Sequence, residues 1–460
     1  MRKPPFFHTV SSTAFLRPDP DVPARIRKAA AALRALPREA LTPSEAWIED
    51  NAAPLLREAS ARIREARQLP PLPAMSGVPR ALLLARKICA ADDEEIDEGL
   101  VLLRRFFPAR PLPRLQVEHL TDERRTLAVV PTLLTSPRQA LRAAHHLAVL
   151  HCADPEMDCL LLSDFADSLR ETEPEDEGVL SALRESISAL NERFGGGFLC
   201  LHRARQWDAQ QQRFTGRERK RGALESLNRL LVGREQEDRF LYASCPPDTL
   251  KNRYAYVITL DADTFLPPGA ARQLAGAMEH PLQKGRVAVI QPRMEAAPDR
   301  VKTRTQKWLG GRGGTDPYHL AVQDVYQDVM DAGSFVGKGI YAPRLWLERL
   351  EGRLPPGRLL SHDLIEGEIA GCALAEDIAL FDGHPARLAG WQKRLERWTR
   401  GDWQLLPFLR DRRLSLLSRH KIWDNLRFSL VPASRLALLS LVAARLPLLI
   451  PLALPWPASG

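Results

Sequence analysis

The sequence predicts an α/β fold in which helices cover both faces of a parallel sheet. After residue 125, short apolar segments alternate with longer amphipathic ones, which is the rhythm of strands separated by helices. Residues 254–260, which read YAYVITL, form an uncharged β-branched and aromatic run that suits a strand buried inside such a sheet. With 460 residues, the chain is long enough for two or three domains.

The expected strands and helices follow one another in order and together define a central domain, residues 121–425. The strands are apolar segments of strand length, at residues 126–131, 158–163, 198–202, 254–260 and 286–291. The helices between them have apolar residues at a helical period, at residues 137–150, 179–194 and 219–231. Pro267 and Pro268 end the fourth strand and suit the first turn of a helix.

The region before the central domain, residues 1–120, is expected to be helical and carries no catalytic signal. A Pro-rich stretch at residues 108–113, PARPLP, is predicted to be the stiff linker at its end. The expected helices have amphipathic or Arg/Glu-laced patterns, at residues 44–48, 61–67, 81–89 and 97–107.

The last region, residues 426–460, is expected to be a membrane segment. Residues 428–455 are almost wholly apolar and about long enough to cross a bilayer. Arg435 and Arg445 interrupt this run, and two prolines would kink it. The pattern favours a membrane helix or re-entrant segment over a buried core helix.

Composition excludes some classes of function. The formal net charge is +8, but basic and acidic residues are mixed along the chain. Arg-rich helices that face anionic lipid or a diphosphate explain this charge as well as nucleic acid does. Because the sequence has no zinc finger, RNA-binding signature or long basic arm, we expect no nucleic-acid partner. The six cysteines include no CxxC pair and the N-terminus has no apolar signal region, so a reduced, cytosolic setting is expected.

The buried strand at 254–260 leads directly into Asp261, Ala262 and Asp263. Side chains two residues apart on an extended segment point the same way, so both carboxylates are expected at the C-terminal edge of the sheet. Open α/β sheets bind ligands at that edge. Two carboxylates can hold Mg²⁺ or Mn²⁺ when substrate phosphates supply further oxygens. The pair therefore predicts a site for a nucleotide diphosphate donor.

The DxD pattern is not specific by itself. Asp19 and Asp21 repeat it in a predicted loop, and a solvated turn is the alternative interpretation of any single match. The buried strand before Asp261, together with residues farther along the chain, favours the binding site.

A second acidic motif, Ser361-His362-Asp363, lies farther along the chain. A transferase that activates an acceptor hydroxyl needs a carboxylate within hydrogen-bond reach of it, and Asp363 is the candidate for this general base. His362 could orient that carboxylate or contact phosphate. The alternative is that Asp363 or Ser361 caps a helix, and the residues alone leave both readings open.

Three further residues share one face of a predicted helix, namely Arg394, Arg397 and Trp398. Arginine can neutralise a leaving diphosphate through paired donors, and Trp can stack on a sugar ring. The alternative is an interfacial helix that lies against lipid headgroups, and the two interpretations are compatible.

Lys220 and Arg221 begin the predicted helix before the acidic strand, where a cation can reach a nucleotide. A solvated basic helix end is the alternative. Residues 333–341, GSFVGKGIY, are interpreted as an acceptor-floor loop whose glycines let backbone approach a sugar closely, with a plain glycine turn as the alternative.

These motifs, taken together and in this order, resemble the cyclic β-1,2-glucan synthase family, glycosyltransferase family 84. The resemblance runs nearly unbroken from residue 121 to residue 407, and a fainter one covers residues 47–107. It rests on long segments: VVPTLLTS (129–136), ERKRGALESLNRLL (218–231), YVITLDADT (256–264), DPYHLAVQDVYQD (316–328), GSFVGKGIY (333–341), LSHDLIEG (360–367) and RWTRGDWQLLP (397–407).

The resemblance implies a GT-A (Rossmann-like) glycosyltransferase domain whose catalytic core is related to that of the cellulose and hyaluronan synthases. It implies UDP-glucose as donor, a glucan acceptor, a divalent metal, and inversion to β-1,2-linked glucan. It also implies a place at the inner (cytoplasmic) membrane, in contact with lipid, with the catalytic domain on the cytosolic side.

The resemblance also assigns roles to individual positions. Asp261 and Asp263 match the pair that binds metal and diphosphate, and Asp363 matches the general base. Arg397 and Trp398 match the last two residues of the QxxRW motif of the related synthases. Thr132 and Asp164 match positions where related transferases contact the nucleoside. Arg394 stands where the QxxRW motif has Gln.

The resemblance also sets the alternatives. Members of this family carry membrane helices between the helical N-terminal region and the transferase domain, and they continue into a glycoside-phosphorylase-like portion. We therefore expect further synthase domains or subunits as partners. The leading hypothesis is a membrane-associated, metal-dependent inverting glucosyltransferase. The alternatives are a related β-glycan synthase with another donor or linkage, and a non-catalytic partner of a full-length synthase.

Overall fold

The computed structural model describes residues 112–235, 238–297, 303, 326–327, 332–355, 357, 359, 362–383, 385 and 387–445. The helices expected within residues 1–107 and nearly all of the linker lie outside the described residues, as does the motif at 316–328 apart from residues 326 and 327. The described part is built on one eight-stranded sheet and a short hairpin. The strands are β1 (Thr126–Leu134), β2 (Asp158–Phe165), β3 (Phe198–Arg203), β4 (Gln206–Asp208), β5 (Arg213–Thr215), β6 (Phe240–Ala243), β7 (Tyr256–Thr259), β8 (Val289–Ala296), β9 (Gly339–Tyr341) and β10 (Cys372–Asp382).

Helices form in the places that the sequence predicts, and further helices follow them along the chain. Three of the first four were expected from the sequence, and the last described helix is a long one that follows a 3₁₀ turn at Leu406–Arg410. The helices are α1 (Pro137–Ala153), α2 (Asp176–Phe194), α3 (Arg219–Leu231), α4 (Ala270–Glu279), α5 (Pro343–Leu350), α6 (Asp363–Ala370), α7 (Leu388–Gln404) and α8 (Leu416–Arg445).

The sheet is buried between two layers of helices because its central strands alternate their side chains between two apolar cores. On β1, Ala128 and Val130 join the core that contains residues of α1, α2 and α4. Leu127 and Val129 point the other way, into the core that contains residues of α3 and α5. The prediction of an α/β fold with both faces covered is confirmed.

The sheet is mixed, so the expectation of a parallel sheet is corrected. The spatial order is β10-β8-β9-β7-β1-β2-β3-β6. Strands β7, β1, β2 and β3 are parallel, as are β8 and β10, but β9 runs antiparallel between β7 and β8, and β6 is antiparallel to β3. The sequence does not predict strand β9 because Gly339–Tyr341 is only three residues long and lies in a segment with glycines at 337 and 339.

The C-terminal helices form a third, smaller core next to the sheet. Ile365 of α6 packs there with Leu409 of the 3₁₀ turn and Ile422 of α8. Lys421 of α8 is fully buried, donates to Glu368 at 2.7 Å and also bonds the carbonyl oxygen of Gly333. This core fixes α6 against the loop that precedes β9.

Helix α8 contains the first part of the predicted membrane segment and runs across the predicted domain boundary between residues 425 and 426. The position of that domain boundary stays a prediction. In the described part of the chain, none of the helices combines the length and apolar character needed to span a bilayer. Residues 446–455 of the predicted segment lie outside the described residues.

Candidate active site

The C-terminal edge of the sheet brings together polar side chains from three neighbouring strands. Thr132 on β1 lies opposite Ser163 on β2, and Asp164 follows directly. Strand β7 pairs with β1 through Val129 and Thr259, so Asp261 leaves the sheet at the same edge. The predicted nucleoside contacts, Thr132 and Asp164, and the acidic pair therefore share one edge of the sheet.

Asp164 is held by a buried arginine. Arg203 of β3 donates to both of its carboxylate oxygens, at 2.7 and 2.6 Å, and to Asp238 at 2.7 Å. Burial raises the pKa of Asp164 in spite of this guanidinium. Arg203 also donates to the carbonyl oxygens of Arg217 and Arg219, at 3.1 Å each. Since Arg219 begins α3, the same guanidinium fixes the loop that positions Lys220.

We expect Arg203→Met to lower the free energy of unfolding by about 3 to 5 kcal/mol, because it leaves the buried carboxylate of Asp164 without this ion pair and removes an arginine from Asp238, which keeps its pair with Arg217. Urea denaturation measures this change. The control is Arg184→Met, which removes an exposed pair with Glu177 and is expected to cost at most about 1 kcal/mol. Equal effects of the two substitutions would contradict the assigned role of Arg203.

The first acidic residue, Asp261, is engaged by two lysines. Lys220 of α3 donates to its Oδ1 at 2.6 Å, and Lys338 lies 3.1 Å from its Oδ2. Its side chain is surrounded by protein yet still 38% exposed. Burial by itself would raise the pKa of Asp261, but the ammonium groups of Lys220 and Lys338 lower it below its usual value. The two lysines therefore favour the ionised form of Asp261, whose side chain remains partly open to solvent.

The second acidic residue, Asp263, lies among like charges. Burial, followed by the carboxylates of Asp382 and Asp261, raises the pKa of Asp263, while Lys338 and Arg394 oppose the shift. Its side chain makes no hydrogen bond with any described residue, and it packs so closely on Gly383 that a Cβ there would lie 2.8 Å from Oδ2. Unlike Asp261, Asp263 has carboxylate oxygens that no described residue engages, so they are available to bind a ligand.

Lys338 and Asp382 reach the site through the strands that the sequence did not predict. Because β9 is antiparallel to β7 and pairs Gly339 with Thr259, the residue before Gly339 lies beside the end of β7. A bridge between Phe265 and Phe381 brings the end of β10 to the loop after Asp263. Lys338 donates to Asp382 at 2.7 Å, and the hydroxyl of Thr264 donates to its other oxygen at 2.6 Å.

Asp363, the predicted base, is the first residue of α6 and lies against the same glycine loop. A Cβ on Gly337 would come within 2.8 Å of its carboxylate. The carbonyl oxygen of Gly337 accepts a 2.9 Å hydrogen bond from Lys220, which in turn holds Asp261. The contacts thus run without a gap from Asp261 through Lys220 and Gly337 to Asp363.

Gly337 has a φ of +85°, so Gly337→Ala both strains the backbone and displaces the Asp363 carboxylate. We expect turnover to fall about 100-fold, as a misplacement near 1 Å can cause. Gly195→Ala is the matched control, because Gly195 has a φ of +80° and open space around it. Initial rates measured for both variants test the contact, and equal losses would contradict it.

A cavity of about 90 Å³ opens beside this chain of contacts. Lys220, Arg221, Gly337 and Asp363 line it, whereas Asp261 does not, so Lys220 is the residue that faces both the cavity and the acidic pair. Arg221 is half-buried and paired with Glu218 at 2.5 Å. The cavity therefore lies on the Asp363 side of the site.

Three side chains at the start of α6 have ligand atoms within 4.8 Å of one another, namely His362, Asp363 and Glu366. Burial, and next the Asp363 carboxylate, raises the pKa of Glu366 well above its usual value. Burial lowers the pKa of His362, and its Nδ1 has no hydrogen-bond partner among the described residues. This group could hold a metal, but a metal there would occupy the carboxylate of Asp363, the predicted base.

Helix α7 brings only part of its predicted face to the acidic residues. The charge of Arg394 acts on Asp263, and its guanidinium lies 5.8 Å from the ring centroid of Trp398. Trp398 is half-buried and packs edge-on against Trp391 at 6.1 Å. Arg397 is exposed and makes no hydrogen bond or ion pair with the described residues.

Three site residues were not singled out from the sequence: Lys338, Asp382 and Glu366. Lys338 was read only as part of a glycine loop, although a lysine between two glycines beside a DxD strand is a usable signal. Asp382 has no such signal in the sequence, because it is the last residue of β10, a strand that the sequence did not predict. Glu366 lies one helical turn after Asp363, so the i, i+3 spacing could have identified it.

The residues present fit a hard divalent cation. Asp263 offers free carboxylate oxygens, Asp261 is ionised, and the repulsion among Asp261, Asp263 and Asp382 is what a bound cation relieves. The described residues offer too few free oxygens to enclose the ion, so substrate oxygens would complete its coordination, as is usual for Mg²⁺.

Comparisons with known proteins agree with this geometry. Residues 256–458 match the family model described as "Glycosyl transferase family group 2". The chain is 36% identical over 352 residues to the "Cyclic beta-(1,2)-glucan synthase NdvB" of Rhizobium meliloti (strain 1021). The aligned region is 72% of this chain but only 12% of that relative. The resemblance inferred from the motifs is confirmed, the mixed α/β sheet fits GT-A, and the findings support a glycosyltransferase.

Proposed function

We propose that this chain, which is similar to a cyclic β-1,2-glucan synthase and carries a family group 2 glycosyltransferase domain, is a membrane-associated inverting glucosyltransferase. It would use UDP-glucose to extend a β-1,2-linked glucan. The single observation that carries the proposal is the run of contacts from Asp261 through Lys220 and Gly337 to Asp363. It joins a site for a diphosphate to a carboxylate suited to deprotonate an acceptor.

On the donor side, Lys220 and Arg394 would offset the negative charge that develops on the diphosphate as the bond between C1 of the glucose and the phosphate oxygen breaks. Thr132 and Asp164, at the ends of β1 and β2, lie on the same sheet edge and would contact the nucleoside. A bound Mg²⁺ or Mn²⁺, held by Asp261 and Asp263, would supply Lewis-acid stabilisation of the leaving group.

On the acceptor side, the 2-hydroxyl oxygen of the glucan end would attack C1 of the donor glucose. The bond between C1 and the phosphate oxygen breaks, UDP leaves with its electron pair, and Asp363 takes the hydroxyl proton. Attack from the face opposite the leaving group inverts the configuration at C1. Arg221 faces the cavity beside Asp363 and would help to orient the sugar hydroxyls. Trp398 would stack on a sugar ring, and Arg397, whose guanidinium has no ion pair with the described residues, would bind the acceptor or diphosphate.

The proposed inner-membrane setting has its own support in the C-terminal helices. Large apolar side chains are exposed there, and exposed arginines such as Arg397 and Arg400 lie on the same helix α7. The apolar ones are Leu388, Leu395, Trp403, Leu406 and Leu416. Sedimentation of the full chain with phosphatidylglycerol vesicles tests this contact, and recovery of the chain in the supernatant at low salt would oppose it.

Release of UDP tests the enzymatic proposal. The full chain in detergent is incubated with Mn²⁺, a β-1,2-glucan oligosaccharide and UDP-glucose, with other nucleotide sugars in parallel, and the product is submitted to linkage analysis. We expect release with UDP-glucose and loss of UDP binding in Asp263→Ala. Another donor or linkage would support a related β-glycan synthase, and folded protein that binds donor without turnover would support a non-catalytic partner of further synthase subunits.

A further inference from the structure

The acidic edge of the site, formed by Asp261, Asp263 and Asp382, already contains a positively charged side chain, that of Lys338. The ammonium group of Lys338 lies between two carboxylates, 2.7 Å from Asp382 Oδ2 and 3.1 Å from Asp261 Oδ2. Its side chain is 14% exposed and that of Asp382 is 8% exposed. A buried charge in such a place is retained only when opposite charges surround it, so Lys338 neutralises this edge while no ligand is bound.

This lysine limits which oxygens a metal can use. In Asp261, Oδ1 accepts from Lys220 and Oδ2 faces Lys338. In Asp382, Oδ1 accepts from Thr264 and Oδ2 accepts from Lys338. Asp263 is therefore the one carboxylate of the three whose oxygens are free of described partners. Among the residues that the structure describes, a divalent cation that arrives alone would find a single carboxylate with free oxygens, that of Asp263, and a repelling ammonium group.

A diphosphate changes this balance. Its oxygens accept charge-assisted hydrogen bonds from ammonium groups at least as well as a carboxylate does. The looser of the two Lys338 contacts is the one to Asp261, so the ammonium can turn towards phosphate while Asp382 still holds it. Asp261 then regains an oxygen for the cation, and the diphosphate supplies further ones.

We propose that Lys338 is a further donor-binding residue, which occupies the cation position between Asp261 and Asp382 until a nucleotide diphosphate draws it away. Metal and nucleotide consequently bind together, and each strengthens the binding of the other by the same factor. This inference rests on the proposed function for the identity of the nucleotide, and it adds a residue and an order of binding to that site.

Mn²⁺ binding tests the inference without any turnover. The full chain is titrated with Mn²⁺ by electron paramagnetic resonance, with and without saturating UDP, as wild type and as Lys338→Met. Without UDP, Lys338→Met is expected to bind Mn²⁺ about tenfold more tightly, the effect of removing one unit charge a few ångströms away. The factor by which UDP tightens Mn²⁺ binding is expected to be smaller in this variant than in wild type, and it stays above one because the diphosphate still gives oxygens to the cation.

Two variants serve as controls. Lys284→Met removes an exposed lysine that pairs with Glu279 and is expected to leave both Mn²⁺ titrations unchanged. Lys338→Gln carries the same test if the Met variant does not fold, because its amide can still bond Asp382. Unchanged Mn²⁺ affinity and unchanged coupling to UDP in folded Lys338 variants would overturn the inference.

The outcomes also separate this inference from the proposed function. If Lys338→Met binds Mn²⁺ more tightly and couples it less to UDP than wild type does, but wild type releases no UDP from UDP-glucose, the role of Lys338 stands and the transferase proposal fails. If UDP is released but Lys338→Met behaves like wild type in both titrations, the transferase stands and the role of Lys338 fails.

Discussion

Asp363→Asn is expected to lower kcat by a factor of about 100 to 10,000, which is the contribution typical of a general base. The substitution keeps the size of the side chain and its contact with Gly337 but removes the proposed acceptor for the proton of the sugar hydroxyl. Because Asp363 lies beyond Lys220 on the side away from the acidic pair, the affinity for UDP is expected to change little. Initial rates of UDP release and calorimetric titration with UDP measure the two quantities.

The control for this substitution is Asp248→Asn, which changes an exposed carboxylate that pairs with Lys251 on a surface turn. It is expected to keep full turnover. A folded Asp363→Asn protein that turns over within a fewfold of wild type would show that another group takes the proton, and Glu366 or His362 would then be the groups to test.

Asp261→Asn is expected to lower turnover at least about 100-fold and to weaken UDP binding in the presence of Mn²⁺. Asn lacks the negative charge that holds Lys220 and Lys338 together and that a hard cation requires. Both effects arise on the donor side, so this variant differs from Asp363→Asn, in which only turnover is lost. Titration with UDP at fixed Mn²⁺ and the rate assay separate the two patterns.

Asp377→Asn is the matched control, because it also removes a carboxylate from an ion pair, here with Arg114 at the surface. UDP affinity and turnover are expected to stay at the wild-type level in this control. If Asp261→Asn bound UDP and Mn²⁺ as wild type does, the assignment of Asp261 to the donor site would be wrong.

The sequence was sufficient for those features that depend on local pattern. The strands that contain Val129, Leu160 and Val257 are apolar, of strand length and bounded by turn residues, so their burial and the α/β order followed directly. Asp261 and Asp263 followed from the end of such a strand. Asp363 was proposed as the base from its residue type and, with more weight, from the family resemblance.

Other features depend on contacts between distant segments and left no local pattern. The antiparallel strand β9 is three residues long, yet its direction is what places Lys338 beside Asp261. Asp382 enters the site through the bridge between Phe265 and Phe381, which no spacing in the sequence reveals. In α7, the helical period put Arg394, Arg397 and Trp398 on one face, but it could not decide which of them approaches Asp263.

A crystal structure of the full chain with UDP and Mn²⁺ tests most directly whether the acidic pair and the base belong to one site. We expect the anomalous signal of Mn²⁺ within bonding distance of Asp263 and of the diphosphate. We also expect Lys338 to have turned towards phosphate, and Asp363 to face open space next to the β-phosphate. Mn²⁺ bound instead by His362, Asp363 and Glu366, or UDP bound away from the ends of β1, β2 and β7, would contradict this account.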